Sequence, residues 1–121
     1  MSLRIGCLTI DAADCVRLGR FWAEALDWVI VEEKEQAVYL VPHAQVSAET
    51  SVPGLLVFRS PDAKVGKNRV HLDLRPDDQA GEVARLESLG AKRVDIGQAA
   101  TDPWVVMADP EGNEFCVLSS D

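Results

Sequence analysis

The chain has 121 residues, 47% of them hydrophobic and 26% charged, the balance of one soluble globular domain with a core of its own. That composition excludes disorder, collagen-like repeats and coiled coil as the dominant state. The formal net charge of −8 argues against binding a nucleic-acid backbone, which rewards clustered Lys and Arg.

The elements follow in chain order. Leu3 to Ile10 is apolar with β-branched content and predicts a strand. Asp14 is placed to cap a helix, because its carboxylate can accept an orphan backbone N–H. Leu18, Phe21, Trp22, Ala25 and Leu26 then recur at helical spacing, and Asp27 ends the run. Trp28–Glu33 and Ala37–Val41 predict two strands joined by the polar turn Lys34-Glu35-Gln36. His43 to Pro53 is a polar loop, with His43 exposed, and Gly54–Arg59 is a further strand. Ala63 to Asn68 is a linker. Its Lys64 and Lys67, with Arg69 just beyond, form a local positive patch whose simplest reading is a solvated segment.

After the linker the pattern starts again. Arg69–Arg75 alternates, with Val70, Leu72 and Leu74 on one side and His71 and Asp73 on the other, and Pro76 stops it. Gln79–Leu89 is a helix with Ala80, Val83, Leu86 and Leu89 as its buried stripe, and Gly90 takes the left-handed position after it. Lys92–Ile96, Trp104–Ala108 and Asn113–Leu118 predict three strands, the last two joined by the turn Asp109-Pro110-Glu111-Gly112. The chain is therefore βαβββ twice, an internal duplication of about 55–60 residues. The expected fold is α+β, a single domain over residues 1–121 with module one at about 3–60 and module two at about 69–119. Two such modules side by side give a curved mixed sheet around a cup-shaped cavity, with the helices outside.

Strand parity nominates the chemistry. With Leu72 and Leu74 facing the helix, His71 and Asp73 face the other way, where His71 could serve as ligand, general acid/base or hydrogen-bond donor. In the first strand Cys7 and Thr9 take the same side. In the last strand Glu114 and Cys116 share one face and Phe115 and Val117 the other; pattern alone does not say which face looks inward. In the fourth strand the inward set is either Leu56 and Phe58 or Val57 and Arg59. Phe58 and Trp104 are candidate ligand-binding walls, since small-molecule sites are mostly apolar, and Glu114 is a candidate polar ligand-binding group beside Cys116. The three cysteines, Cys7, Cys15 and Cys116, are an odd count with no CxxC, which argues against a disulfide framework. The plainer role for Cys7 and Cys116 is that of small buried hydrophobes.

Three segments resemble the glyoxalase/bleomycin-resistance/extradiol-dioxygenase superfamily, the vicinal oxygen chelate proteins. Arg20-Phe21-Trp22-Ala23-Glu24-Ala25-Leu26-Asp27-Trp28 is similar to its "FY…LG" signature. Val70-His71-Leu72-Asp73-Leu74 matches its second-module first strand. Met107 to Phe115 is similar to its "DPxGNxxE" ending. The chain looks most like the small glyoxalase-like domains common in actinobacteria. The resemblance implies paired βαβββ modules, a small-molecule ligand and usually a homodimer. In metal-using members it implies a ligand on the first and last strand of each module. His71 matches one such position, Cys7 and Cys116 stand at two others, and Gly54–Arg59 offers no carboxylate at the fourth. A His71, Cys7 and Cys116 set would suit a divalent metal such as Zn²⁺. Failing that, the protein needs no cofactor. If catalytic, it would be a lyase or isomerase acting on a small oxygenated substrate, with His71 as metal ligand or acid/base and Asp73 beside it. Glyoxalase I and ring-cleaving dioxygenase chemistry lack their carboxylates here. The alternative is a non-catalytic drug-sequestering protein of the bleomycin-resistance type, which the −8 charge would suit for a cationic drug. No apolar run approaches the roughly 18 residues of a membrane span. Met1 to Ile5 lack the apolar core of a signal peptide, so the expected location is the cytoplasm.

Overall fold

The computed structural model describes residues 2–43 and 52–120. The chain divides into two compact units, Met1–Ala63 and Lys64–Asp121. The first contains β1 (Cys7–Ala12), α1 (Cys15–Leu26), β2 (Trp28–Glu33), β3 (Ala37–Pro42) and β4 (Gly54–Arg59). The second contains β5 (Asp73–Leu74), α2 (Gln79–Leu89), β6 (Lys92–Arg93), β7 (Val105–Ala108) and β8 (Glu114–Val117). Each unit has one four-stranded mixed sheet, ordered β1-β4-β3-β2 in the first and β5-β8-β7-β6 in the second. In both, the first strand pairs parallel with the last and the other pairings are antiparallel. Identical element order, sheet order and strand direction establish the duplication at the level of structure.

Local chemistry explains where the elements begin and end. Asp14 caps α1, its carboxylate accepting from the Arg17 N–H at 3.1 Å. Asp27 closes the helix in the left-handed region, at φ 54°. Phe21 and Trp22 are buried beneath the sheet and meet edge-to-face at 5.2 Å, a geometry worth about 0.5–1.5 kcal/mol beyond burial. In the second unit Asp78 caps α2 through the Gly81 N–H, and Gly90 supplies the expected positive φ, 116°. The Gln79 side-chain amide donates to the carbonyls of Val117 and Leu118, which ties the start of α2 to the end of β8. Leu86 and Val83 of α2 are buried, as are Met107, Phe115 and Val117.

Several predicted boundaries move. The first strand begins at Cys7 rather than Leu3, since Leu3 and Ile5 lie exposed before any pairing starts. The Arg69–Arg75 strand shrinks to Asp73–Leu74, although its ladder extends in both directions through Cys116 N–H to Leu72 O and Leu118 N–H to Leu74 O. Its alternation holds for residues 71–75 but fails at Val70, which is 78% exposed instead of packed on the helix. On α2, Ala80 is exposed and only Val83 and Leu86 of the predicted stripe are fully buried. The strand expected at Lys92–Ile96 stops at Arg93, with one further ladder bond from Val94 N–H to Val106 O. Beyond it side chains capture the backbone: Asp95 accepts from Gly97 N–H, and Gln98 bonds Ile96 N–H and Val94 O. Of the predicted loop His43–Pro53, residues 44–51 lie outside the described residues.

Gly19 is where α1 approaches β3 closely. A Cβ built there would lie 2.6 Å from Val38 Cγ1 and 2.8 Å from Val38 Cβ. Gly→Ala inside a helix ordinarily gains about 1 kcal/mol. Here overpacking should reverse the sign, and Gly19→Ala should cost about 1–3 kcal/mol in urea unfolding. Val38→Ala in the same chain should recover part of that loss. A stabilised Gly19→Ala protein would show that α1 does not press on β3 at this point.

Candidate functional site

The second unit's sheet has two chemically different faces. Buried Phe115 and Val117 of β8 share one face with Met107 of β7 and Leu74 of β5. Asp73 of β5 and His71, two residues before it, are the exposed alternates. Register puts Asp73 opposite Cys116, Cys116 opposite Val106, and Glu114 opposite Ala108. The face left open by the sequence is thereby decided: Glu114 and Cys116 lie on the side of His71 and Asp73.

Three of these groups converge. His71 Nε2 stands 3.1 Å from Asp73 Oδ1, with the two side chains 36% and 51% exposed. Together with the Cys116 thiol, ligating atoms of His71 and Asp73 all lie within 4.8 Å of one another. Extended-chain geometry accounts for this: His71, two residues before Asp73, projects to the same side, and the neighbouring strand delivers Cys116 in register beside Asp73. Imidazole, carboxylate and thiol are each metal-binding groups, and together they match the donor types of zinc, so the residues present fit a divalent ion. Burial pushes the Cys116 thiol above its ordinary value, and the Asp73 carboxylate pushes it further. The Lys67 ammonium opposes them.

Cys7 is on β1 in the first unit, and it is exposed rather than buried, its Sγ 3.9 Å from Thr9 Oγ1. Cys116 is buried as expected, and so is Cys15, its thiol donating to Glu35 O at 3.2 Å. Phe58 is exposed on β4 opposite Asp11, while Leu55 and Val57 are buried, so Leu56 and Phe58 form the set facing away from α1. Trp104 stands one residue before β7 and is 39% exposed. Both aromatics present free ring surface.

Glu114 is held rather than free. One carboxylate oxygen accepts from Lys64 Nζ at 2.7 Å and the other from the Asn68 backbone N–H at 2.9 Å. Lys64 also donates to Gly66 O, and the Asn68 amide donates to Asn113. Asp109 is buried and accepts from the backbone N–H groups of Glu111 and Asn113 at 2.9 Å, which sets the turn leading into Glu114. Lys64 and Asn68 were not singled out as site-supporting residues. The sequence showed Lys64 only as part of a positive patch, and its partner lies fifty positions on.

Burial pushes the Glu114 carboxyl up, but its bonds to Lys64, to Asn68 N–H and to its own N–H outweigh this and hold it below its ordinary value of about 4.5. A lowered carboxyl stabilises the fold fully above that ordinary value, and the contribution disappears as pH falls through the lowered one. Urea midpoints measured from pH 7 down to pH 3 should therefore drop below about pH 4.5 in the native protein. Glu114→Gln should start less stable at neutral pH and show a shallower acid slope. Equal slopes would show that the Lys64 contact does not bind the linker to β8.

A family model described as "Glyoxalase-like domain" matches residues 7–118. No curated protein matches the chain in sequence. Among solved structures the fold is similar to a glyoxalase/bleomycin resistance protein/dioxygenase family enzyme from Burkholderia phytofirmans (TM-score 0.72, 15% identity, 95% of this chain and 97% of that one). It is also similar to a fosfomycin resistance protein from Listeria monocytogenes solved with Mn(II) and dihydroxypropylphosphonic acid (TM-score 0.72, 9% identity, 100% of this chain and 93% of that one). A third is an antibiotic binding protein from Streptomyces (TM-score 0.65, 17% identity, 100% of this chain and 99% of that one). At these identities the likeness is one of fold. The family match runs over nearly the whole length, and the chain belongs to the glyoxalase-like domain family.

Proposed function

We propose that this protein binds a small oxygenated molecule on the His71 face of its second unit and acts on it as a lyase or isomerase. The observation that carries the reading is the convergence of His71, Asp73 and Cys116 within 4.8 Å on one face of a sheet. His71 is placed to act as acid/base toward the ligand, and Asp73, 3.1 Å from its Nε2, orients the ring. A divalent ion, when bound, would polarise a ligand oxygen, and His71, Asp73 and Cys116 are the residues that would hold it. Trp104, in the same unit, supplies apolar surface for the body of the ligand. Glu114 and Lys64 keep the segment before His71 in place. A single domain working as a cytoplasmic homodimer completes the proposal. No helix among the described residues is long and apolar enough to cross a membrane.

A second reading has an observation of its own. The net charge of −8 and the exposed Trp104 suit capture of a cationic aromatic drug without turnover, and the similarly folded protein from Streptomyces is an antibiotic binding protein.

The two are separated by variants tested against a panel of α-oxo thiol adducts, epoxides and cationic antibiotics. On the enzyme reading, His71→Ala should abolish turnover, a loss of about 10²–10⁴-fold for a general acid/base, with urea stability unchanged. Asp73→Asn should lower kcat/KM, because the carboxylate that orients the His71 ring is gone. On the capture reading, His71→Ala leaves binding intact and Trp104→Ala weakens it. Turnover that survives His71→Ala would sink the catalytic proposal.

A further inference from the structure

We propose that His71, Asp73 and Cys116 form a three-donor site, complete within the second unit, that selects a thiophilic ion of the zinc type over hard ions such as Mn(II). The inference deepens the functional reading above and rests on the same site. The set departs from the one implied by the superfamily resemblance in two ways: a thiol stands on β8, and Asp73 of β5 enters as the carboxylate.

The geometry supports it. Ligand bonds of about 2.0–2.3 Å in a tetrahedral arrangement need donors roughly 3.3–3.8 Å apart. His71 and Asp73 already stand at 3.1 Å, and no pair in the group exceeds 4.8 Å. The remaining adjustment falls on His71 and Asp73, which are exposed enough to change rotamer. Cys116 is nearly buried and fixed by its strand pairing with Asp73 and Val106, so it sets the origin of the site. Three protein donors leave a fourth tetrahedral position open for a ligand oxygen, the pattern of a catalytic rather than a structural zinc.

Donor softness then decides the ion. Thiolate favours zinc, cobalt and cadmium, whereas carboxylate and water suit Mn(II) and Mg(II), and Zn(II) already stands above Mn(II) in intrinsic affinity. Cys116 enters as thiolate, its proton passing to solvent as the sulfur–metal bond forms.

The test uses the full-length protein, freed of metal with a chelator and titrated separately with Zn(II), Co(II) and Mn(II). Binding is followed by equilibrium dialysis and by the sulfur-to-cobalt charge-transfer absorption. One equivalent of Zn(II) per chain, a thiolate charge-transfer band with Co(II) and much weaker Mn(II) binding are expected. Cys116→Ser should remove the band and lower Zn(II) affinity by at least about 100-fold, since even an outer-shell partner is worth about 10–100-fold. Mn(II) affinity should change little, so the zinc preference collapses. Asp73→Asn, a change at an exposed position, should weaken Zn(II) while keeping the band, and it serves if Cys116→Ser fails to fold. Cys7→Ser should alter neither. Absence of the band, or a zinc preference that survives Cys116→Ser, would overturn the proposal. So would loss of the site in Cys7→Ser, which would show that its donors come from both units. If no metal binds but His71→Ala still abolishes turnover, this inference fails and the functional reading stands.

Discussion

Everything chemical in the second unit depends on the two-residue period of β5 and β8 being locked by what lies under it. Phe115 and Val117 are buried on one face with Met107, and a slip of one residue would carry them to the face of Glu114 and Cys116. Burying a side chain of this size contributes roughly 1.5–3 kcal/mol, so the register is held by several such contributions at once. The polar residues between them have no choice of face. Glu114 and Cys116 alternate with the buried pair on β8, and His71 and Asp73 alternate with Leu72 and Leu74. The chemical group is the complement of the core pattern.

Backbone bonding fixes the same arrangement along the other direction. Cys116 N–H donates to Leu72 O and Leu118 N–H to Leu74 O, so β5 is held on β8 even though only two of its residues are regular strand. The segment leading to His71 is tied down separately, by Lys64 and the Asn68 N–H on the two oxygens of Glu114. Most exposed ion pairs contribute little, but this one is largely shielded, with Lys64 22% and Glu114 12% exposed, and it is joined by a backbone donor. A rigid element therefore carries the cysteine, and a tethered segment carries the histidine.

How much of this was legible depends on whether the signal was local. The helices were written plainly: Asp14, Asp27 and Gly90 mark helix ends by their own side chain or backbone chemistry, and the structure uses all three. Alternation placed His71 and Asp73 together, because parity needs only the strand itself. The face of Cys116 needed the pairing of β8 with β5 and was invisible from β8 alone. The pairing of Glu114 with Lys64 was invisible because the two stand fifty positions apart in sequence. The short strands were over-extended for a related reason: Val70 and Ile96 have β-type side chains, but Val70 has nothing to pack on and the backbone around Ile96 is captured by Asp95 and Gln98. Of the two cysteines expected to be buried, Cys116 is and Cys7 is not, and Cys15 is buried as well, its thiol finding a carbonyl acceptor.

The sheet order β5-β8-β7-β6 puts the strand made last in the interior of the sheet. During synthesis β5, β6 and β7 leave the ribosome with no complete sheet to join, since β5 has no partner until β8 arrives between it and β7. The unit must therefore wait for nearly its whole length before its non-local pairings can form, a topology that slows folding and leaves apolar strand surface open meanwhile. The compact Asp109–Gly112 turn shortens that interval, because β8 can fold back onto β7 as soon as it emerges and offer β5 a prepared edge. On this account the turn that closes the last hairpin also governs when His71 first meets Cys116.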